Sequence, residues 1–401
     1  MKRRVVPALI LATVLAAAGC QETPKEARNS VNLYQVGDFA GAEAQLRPVI
    51  DKKDENYVLN NCRYGSAAIA AGDLPGAENS FMAAYNVMNA THVNDSGRTT
   101  GAAVFWEGVK VWTGEPFERA MAHYYLGVVF LIKHDYENAR AAFQNSLFKL
   151  RAYANVDDPK HYEEAESSFA MGYFGLGLCY SRLGRDDLAQ ANFALAEKND
   201  PRLVGVIRDV QDPKTNAIIF VDAGMGPRRA PKGWYNEESA FGPTPAEAGP
   251  IGPAELIVDG NVVTHEGETY HMVDTLAMAQ EQRWQDIDTI RKTKAVIGTG
   301  AMAAGAGVAG YGASRHDAGT ALAGLGIMAV GAAIAASSQA DLRYWETLPR
   351  TVYVLPASLT PGAHEILVRA GGSQSAPLQV NIPPASPGNR QDNVYYFRLL
   401  R

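Results

Sequence analysis

Residues 173–201, YFGLGLCYSRLGRDDLAQANFALAEKNDP, carry the pattern that decides the fold of the first half of the chain. Two small residues, Gly177 and Ala189, stand where two adjacent helices would need to approach each other closely. Gly184 breaks the chain between them, because glycine is a strong turn residue. Asp200-Pro201 closes the stretch. The spacing therefore predicts two antiparallel helices joined by a tight turn.

The same pattern occurs in three earlier segments of the chain. These are Gly37-Asp38-Phe39 with Ala42 and Leu46; Gly65 with Gly72-Asp73-Leu74, Ala77 and Phe81; and Gly127 with His134-Asp135-Tyr136, Ala139 and Phe143. The pattern resembles the tetratricopeptide repeat (TPR), a helix–turn–helix unit of about 34 residues, of which roughly three are needed to bury a continuous core. We therefore expect a TPR-like α-solenoid over residues 28–205, with a concave protein-binding surface.

Two insertions interrupt the repeats, over residues 89–115 and 149–162. The first contains Phe105, Trp106 and Trp112. It is either a loop that binds a partner or an additional packing helix, and we favour packing.

Extended segments replace the helical period after residue 214. Residues 228–253 are rich in proline and glycine and are expected to be irregular. Short apolar runs with turn residues between them are typical of antiparallel strands. They are residues 217–221, 255–258, 262–264, 351–355, 364–369, 378–382 and 394–399. The sequence therefore predicts an α+β multidomain protein, with a small antiparallel β-domain over residues 214–401.

A glycine-rich stretch, residues 295–338, is inserted into this β-domain. It reads AVIGTGAMAAGAGVAGYGA, SRHD and AGTALAGLGIMAVGAAIAASS, which predicts a helical hairpin. Each arm of about 20 residues would be about 30 Å long, the thickness of a bilayer core. The candidate packing residues fall seven apart: Gly298, Gly305, Gly312, Gly319 and Gly326.

Three interpretations of this hairpin remain open. It spans a membrane, where small residues let helices approach closely. It is buried beneath the β-domain. It lies on lipid or is disordered, because glycine costs about 1 kcal/mol per residue relative to alanine inside a helix.

The N-terminus predicts export and lipidation. Residues 1–19 combine a basic start, an apolar run and small residues, as in a secretory signal peptide. The run Ala17-Ala18-Gly19-Cys20 resembles the lipobox of bacterial lipoproteins, in which the cysteine becomes the lipidated N-terminus. Residues 20–27 would then be a lipidated tether. Gln21 favours the outer membrane, with the protein facing the periplasm, and the alternative is an ordinary cleaved signal.

The whole layout resembles an uncharacterised family of bacterial TPR lipoproteins with a C-terminal β-domain. The matching segments are residues 114–119 (GEPFER), 220–224 (FVDAG), 340–349 (ADLRYWETLP) and 359–364 (LTPGAH). The resemblance implies architecture and envelope location and no activity. The glycine-rich hairpin departs from the family, in which this segment is not normally so rich in glycine.

The sequence favours a protein that is not an enzyme. Residues 294–303 imitate a dinucleotide-binding turn, but glycines continue where a Rossmann helix should be ordinary. Sequence motifs for a metal site, a catalytic nucleophile or a P-loop are absent, so no catalytic residue, metal or cofactor is expected. The formal net charge of -6 with no basic face predicts no nucleic-acid binding. Cys62 and Cys179 are expected to be buried free thiols.

These observations predict a non-enzymatic, lipid-anchored scaffold or assembly factor at the outer membrane. Protein partners would bind the TPR surface. The membrane would be contacted through lipidated Cys20, and also through the hairpin if that segment inserts. The alternative is a structural or pore-forming homo-oligomer built on the glycine-lined hairpin.

Overall fold

The structure is a computed structural model, and it describes most of the chain in separate stretches. These are residues 24–89, 111–151, 169–232, 238–244, 251–263, 271–280, 301–315, 317–336, 341–384 and 392–400. The chain forms two compact units. The larger comprises Lys25–Arg228, Pro243–Ala279 and Tyr344–Arg401, and the smaller includes Arg229–Gly242 and Gln280–Arg343.

Helical repeats and strands share the larger unit, so the protein belongs to the α+β class with TPR-like helices. In the described part of residues 25–199, eight helices form four antiparallel pairs. They are α1 (Lys25–Gln35), α2 (Phe39–Leu46), α3 (Tyr57–Ala71), α4 (Leu74–Asn89), α5 (Pro116–Ile132), α6 (Tyr136–Leu150), α7 (Ala170–Arg182) and α8 (Asp186–Asn199). A short helix, α9 (Val204–Gln211), leads from the last pair into the strands.

One glycine on the first helix of each later repeat explains the close pairing. A Cβ added at Gly65 would overlap the ring of Phe81, sixteen positions later on the second helix. The same relation joins Gly127 to Phe143 and Gly177 to Phe193. Because all three phenylalanines are fully buried, each glycine makes room for a large aromatic ring in the interior of its helix pair.

The turns between paired helices use left-handed backbone, followed in the first three repeats by an aspartate cap. Gly72 has a φ of 84°, and Asp73 accepts a hydrogen bond from the Gly76 backbone N–H. In the third repeat His134 takes the glycine position with a φ of 59°, and Asp135 caps α6. Left-handed backbone is strained for a residue with a Cβ, which explains the usual glycine there.

Strands after the repeats form two sheets in the larger unit. The first has the order β11–β1–β7–β6, and the second has the order β10–β8–β4–β5 with β9 also pairing β8. Their bounds are β1 (Ala217–Ala223), β4 (Glu255–Val258), β5 (Asn261–Val262), β6 (His271–Asp274), β7 (Thr351–Ala357), β8 (Gly362–Ala370), β9 (Ser373–Gln374), β10 (Leu378–Ile382) and β11 (Asn393–Leu399). The helix α10 (Thr275–Gln280) follows β6.

The expectation of a purely antiparallel β-domain is wrong at one strand pair. β1 and β11 run parallel, with Asp222 opposite Arg398, while β1 pairs with β7 in the antiparallel direction. All seven residues of β1 are buried. A continuous apolar run buried on both faces is typical of the interior strands of sheets with parallel pairing.

The aromatic insertion before the third repeat is described only at its end. Trp112 is buried, and its backbone N–H donates to the carbonyl oxygen of Glu55 over 2.9 Å. This contact favours packing for that residue. Phe105 and Trp106 lie outside the described residues. The cysteines Cys62 and Cys179 are buried free thiols, as expected.

Among the residues that the structure describes, the smaller unit contains a strand pair and two helices. β2 (Arg228–Lys232) pairs with β3 (Glu238–Gly242), so part of the segment expected to be irregular is a hairpin. Residues 301–314 form the helix α11, and Ala318–Ala336 form α12. Asp317 caps α12 by accepting from the Gly319 backbone N–H over 3.0 Å.

Candidate protein-binding groove

The protein's own sheet covers the inner face of its repeats. The first helices α3, α5 and α7 are buried along nearly their whole length. On the sheet side, the Tyr124 ring lies 6.4 Å from Phe220 of β1, and Tyr125 lies 6.5 Å from Tyr396 of β11. A concave surface open to partners, expected from the repeats alone, is therefore not free along these helices.

The segment before β7 lies against the same inner face of the repeats, in the way that an extended peptide ligand would bind there. Trp345 is buried between Phe81 and Tyr125, and its backbone N–H donates to the Glu118 carboxylate over 2.7 Å. Its indole N–H lies 3.1 Å from the Ser66 hydroxyl. Glu346 receives two hydrogen bonds from the buried guanidinium of Arg63. Trp345 and Glu346, which lie in the segment 340–349 that resembles the lipoprotein family, therefore have a structural role.

A buried carboxylate joins the repeats to the sheet. Asp222 accepts hydrogen bonds from the hydroxyls of Tyr125 and Tyr396. Burial raises the pKa of Asp222 to about 6, although Arg398 and the two hydroxyls act in the opposite direction. Arg398 in turn donates to the Tyr34 hydroxyl over 2.8 Å. These partners span helix, strand and strand, so the cluster holds the larger unit together.

An open groove lies on the other side of the repeats, between α4, α5 and α6. It encloses about 280 Å³ and has an apolar wall with polar groups at its rim. We call it the α4–α6 groove, and it is lined by Glu78, Met82, Tyr85, Leu126, Phe130, Asp135, Asn138, Ala141 and Ala142. Residues three and four apart share one face of a helix, so each helix contributes a single stripe.

One end of the groove is acidic. Glu78 lies on α4 and forms an ion pair with Lys133 at the end of α5. Asp135 lies at the same end, where it caps α6.

The opposite end of the groove is basic. One turn further along the same helices lie Asn89 and His123, and two turns further lie Arg119 and Lys149. Tyr85 lies between this end and the cavity: its ring centroid is 4.8 Å from that of His123 in an edge-to-face arrangement, and its hydroxyl accepts from Asn145 over 3.2 Å. The Lys149 ammonium donates to the Met88 carbonyl oxygen over 3.2 Å.

Several polar atoms at the basic end are buried and have no hydrogen-bond partner among the described residues. They are both ring nitrogens of His123, the Nε of Arg119 and the side-chain nitrogen of Asn89. Burial lowers the pKa of His123 to about 3, and the charges of Lys149 and Arg119 add to this effect. Burial also lowers the pKa of Lys149 to about 8, again with a contribution from Arg119.

The groove was not predicted from the sequence. A detectable signal existed on the second helix of repeat two, where Glu78, Met82 and Tyr85 fall at helical spacing beside the buried positions Phe81 and Ala84. Such a stripe does not by itself indicate binding, because the neighbouring helices that complete the groove are distant in sequence.

Two of the five predicted packing glycines lie between α11 and α12. A Cβ at Gly305 or Gly312 would overlap the backbone of Met328 or Ala321 on the opposite helix. The partner glycine on α12 is Gly324. Gly326 has open space around it, and near Gly319 a Cβ would meet only Asp317. Gly298 and Cys20 lie outside the described residues.

The outer face of the helix pair is apolar and exposed. Leu322 is 68% exposed and Val330 is 59% exposed, and Leu325 and Ile327 are also exposed. The three interpretations of the hairpin, membrane-spanning, buried or lipid-lying, stay predictions. No helix among the described residues combines the length and hydropathy needed to cross a membrane.

The described side chains include no group of three or more His, Cys, Asp or Glu residues placed to hold a metal ion. No protein-family model matches the chain, and no curated protein matches its sequence. Among solved structures the chain is similar to the crystal structure of MamA. The alignment covers 44% of this chain and 96% of that chain, with 19% sequence identity and a TM-score of 0.22. This TM-score is too low to support a conclusion about function, and the resemblance to the lipoprotein family stays a prediction.

Proposed function

We propose that this protein is a non-enzymatic scaffold that binds another protein of the cell envelope through the α4–α6 groove. The observation that carries the proposal is the open cavity of about 280 Å³ on repeats whose inner face is already filled by the chain's own sheet. The cavity offers Met82, Leu126 and Phe130 as an apolar wall. Pockets of this kind, apolar with a few polar groups at the rim, are typical binding sites.

The scaffold would act at the outer membrane and face the periplasm, held there by lipidated Cys20. The support is the sequence pattern of residues 1–20, a signal peptide that ends in Ala-Ala-Gly-Cys. A single acyl chain binds membranes only marginally, so the several chains of a bacterial lipoprotein would be needed. Wild type should fractionate with the outer membrane, and Cys20→Ser should appear in the soluble periplasmic fraction. An identical distribution of the two proteins would contradict the anchor.

The groove is tested by filling it. Ala141 lines the cavity on α6, whereas Gln144 on the same helix is exposed and does not line it. Ala141→Trp should prevent recovery of the partner in an affinity purification from membranes, while Gln144→Trp should leave recovery unchanged. Both variants are checked by circular dichroism for a native helix content. Equal recovery with wild type and both variants would refute binding in the groove.

A second candidate function is structural self-association through α11 and α12. The exposed apolar side chains Leu322, Leu325 and Val330 favour it, because contiguous exposed apolar surface commonly marks an interaction site. Native mass measurements in mild detergent should show a discrete oligomer that Leu325→Lys dissociates. Wild type that is monomeric at all concentrations would eliminate this candidate.

A further inference from the structure

We propose that the basic end of the α4–α6 groove binds an oxyanion, so that the groove selects a partner segment carrying a carboxylate or a phosphate. The ligands would be the side chains of Arg119, His123, Lys149 and Asn89. The inference extends the proposed function by naming the chemistry of the partner.

Unpartnered donors are the first step. His123 is 1% exposed, and in the part of the chain that the structure describes neither ring nitrogen has a hydrogen-bond partner. A neutral imidazole carries one N–H donor, and the Arg119 Nε–H and the Asn89 amide are donors that also lack partners. Leaving a buried donor unpaired costs about 1–3 kcal/mol of folding free energy. Several such donors on neighbouring helices therefore indicate a binding site for an acceptor.

The second step is charge. Both charges that act on His123, those of Lys149 and Arg119, are positive. Lys149 makes its hydrogen bond to a neutral carbonyl oxygen, that of Met88. In the described part of the chain neither cation forms an ion pair with a carboxylate. An ammonium can donate three hydrogen bonds and a guanidinium five, so both retain donors for an anion.

The third step is position along the groove. Asn89, His123, Arg119 and Lys149 continue the same three helix stripes that line the cavity, on the far side of Tyr85. A segment whose apolar side chain fills the cavity would therefore place a neighbouring acidic side chain at the basic end. At the acidic end Lys133 is already paired with Glu78, so it does not compete for the anion.

The test is direct titration of the purified full-length protein in detergent, with inorganic phosphate and separately with acetate, at constant ionic strength set by chloride. Isothermal titration calorimetry gives the affinity, and thermal unfolding gives an independent readout. The variants are Lys149→Met and Arg119→Gln, which keep much of each side chain's volume. The matched control is Lys133→Met at the other end of the groove.

We expect phosphate or acetate to bind wild type and Lys133→Met and to raise their unfolding temperatures. Lys149→Met and Arg119→Gln should each bind at least about tenfold more weakly. Binding of phosphate alone indicates a phosphorylated partner, acetate alone indicates a carboxylate, and both indicate any oxyanion. Failure of both anions to bind wild type, or undiminished binding by both variants, would overturn the inference.

The titration needs no protein partner, so its outcome is separate from that of the affinity purification. If Ala141→Trp loses the partner and wild type binds no anion, the groove remains the proposed protein-binding site and the anion subsite is refuted. If wild type binds an anion but no partner is recovered, the anion subsite is supported and the proposed protein binding is refuted.

Discussion

At the scale of single residues, adjacent tyrosines on α5 have opposite environments. The Tyr125 hydroxyl donates to buried Asp222, whereas the hydroxyl of Tyr124 is buried without a hydrogen-bond partner. Both side chains are almost fully buried. The same chemical change at these two positions should therefore have different consequences.

Tyr125→Phe should lower the free energy of unfolding by about 1–3 kcal/mol, because Asp222 loses a donor inside the protein. Tyr124→Phe should be neutral or slightly stabilising, since it removes a buried hydroxyl that has no partner. Urea denaturation followed by circular dichroism measures both. Equal destabilisation by the two variants would show that the Asp222 cluster does not have the role described.

His123 makes the protein sensitive to acid. Its pKa is about 3 in the folded state, mainly because of burial, and about 6.5 when the chain is unfolded. The unfolded state therefore binds more protons between these values. The part of the unfolding free energy that depends on a neutral His123 is fully present above pH 6.5 and is lost as the pH falls toward 3.

His123→Leu should retain stability that wild type loses on acidification. Between pH 7 and pH 4.5 the difference in unfolding free energy between variant and wild type should change by about 2–3 kcal/mol in favour of the variant. Urea denaturation at the two pH values, in a buffer without phosphate or carboxylate, gives this difference. Parallel pH curves for the two proteins would contradict a buried neutral His123.

At the scale of elements, α11 and α12 have one close face and one open face. A Cβ added at Gly324 would overlap the backbone of Ala309. A Cβ added at Gly326, two residues further along α12, would have nothing within 4 Å. The seven-residue period of glycines therefore does not mark a single surface. Only part of it lies between the two helices.

Gly324→Ala should separate the helices and increase amide hydrogen exchange across residues 301–314. Gly326→Ala should instead slow exchange in α12, because alanine is favoured over glycine by about 1 kcal/mol inside a helix. Hydrogen-exchange mass spectrometry resolves both peptides in one experiment. Slower exchange in Gly324→Ala would mean that the helices do not approach each other at this point.

Local signals made the repeats predictable from sequence. Each Gly–Phe pair and each turn lies within a few tens of residues, so spacing alone reveals it. The parallel pairing of β1 with β11 carries no such signal, because Asp222 and Arg398 are far apart in sequence and meet only in the sheet. The groove was missed for the same reason, since its three walls come from two repeats separated by an insertion.

At the scale of the whole molecule, buried ion pairs connect the helical and strand regions of the larger unit. Arg182 at the end of α7 donates two hydrogen bonds to Asp392, the residue before β11, and both side chains are 1% exposed. Removing one member of a buried pair leaves the other without compensation, which typically costs about 3–5 kcal/mol.

Arg182→Gln should therefore lower the unfolding free energy of the larger unit by about 3–5 kcal/mol. Intrinsic tryptophan fluorescence and far-ultraviolet circular dichroism should shift together, because repeats and sheet unfold as one cooperative unit. The exposed Arg202, which pairs with Asp200, offers a control, since Arg202→Gln should change stability by less than about 1 kcal/mol. Separate transitions from the two probes would show that the repeats fold independently.

The parallel pairing of β1 with β11 sets the order in which the core can be completed during synthesis. A ribosome that has made residues 1–357 has produced all the repeats, β1 and β7, yet one edge of β1 still has no strand to pair with. That edge, and the side of Tyr125 that contacts Tyr396, stay uncovered until residues 393–399 have emerged. Unpaired edges and uncovered apolar faces are where chains aggregate. The uncovered edge of β1 therefore persists from the time β1 has been made until the last strand, β11, has emerged.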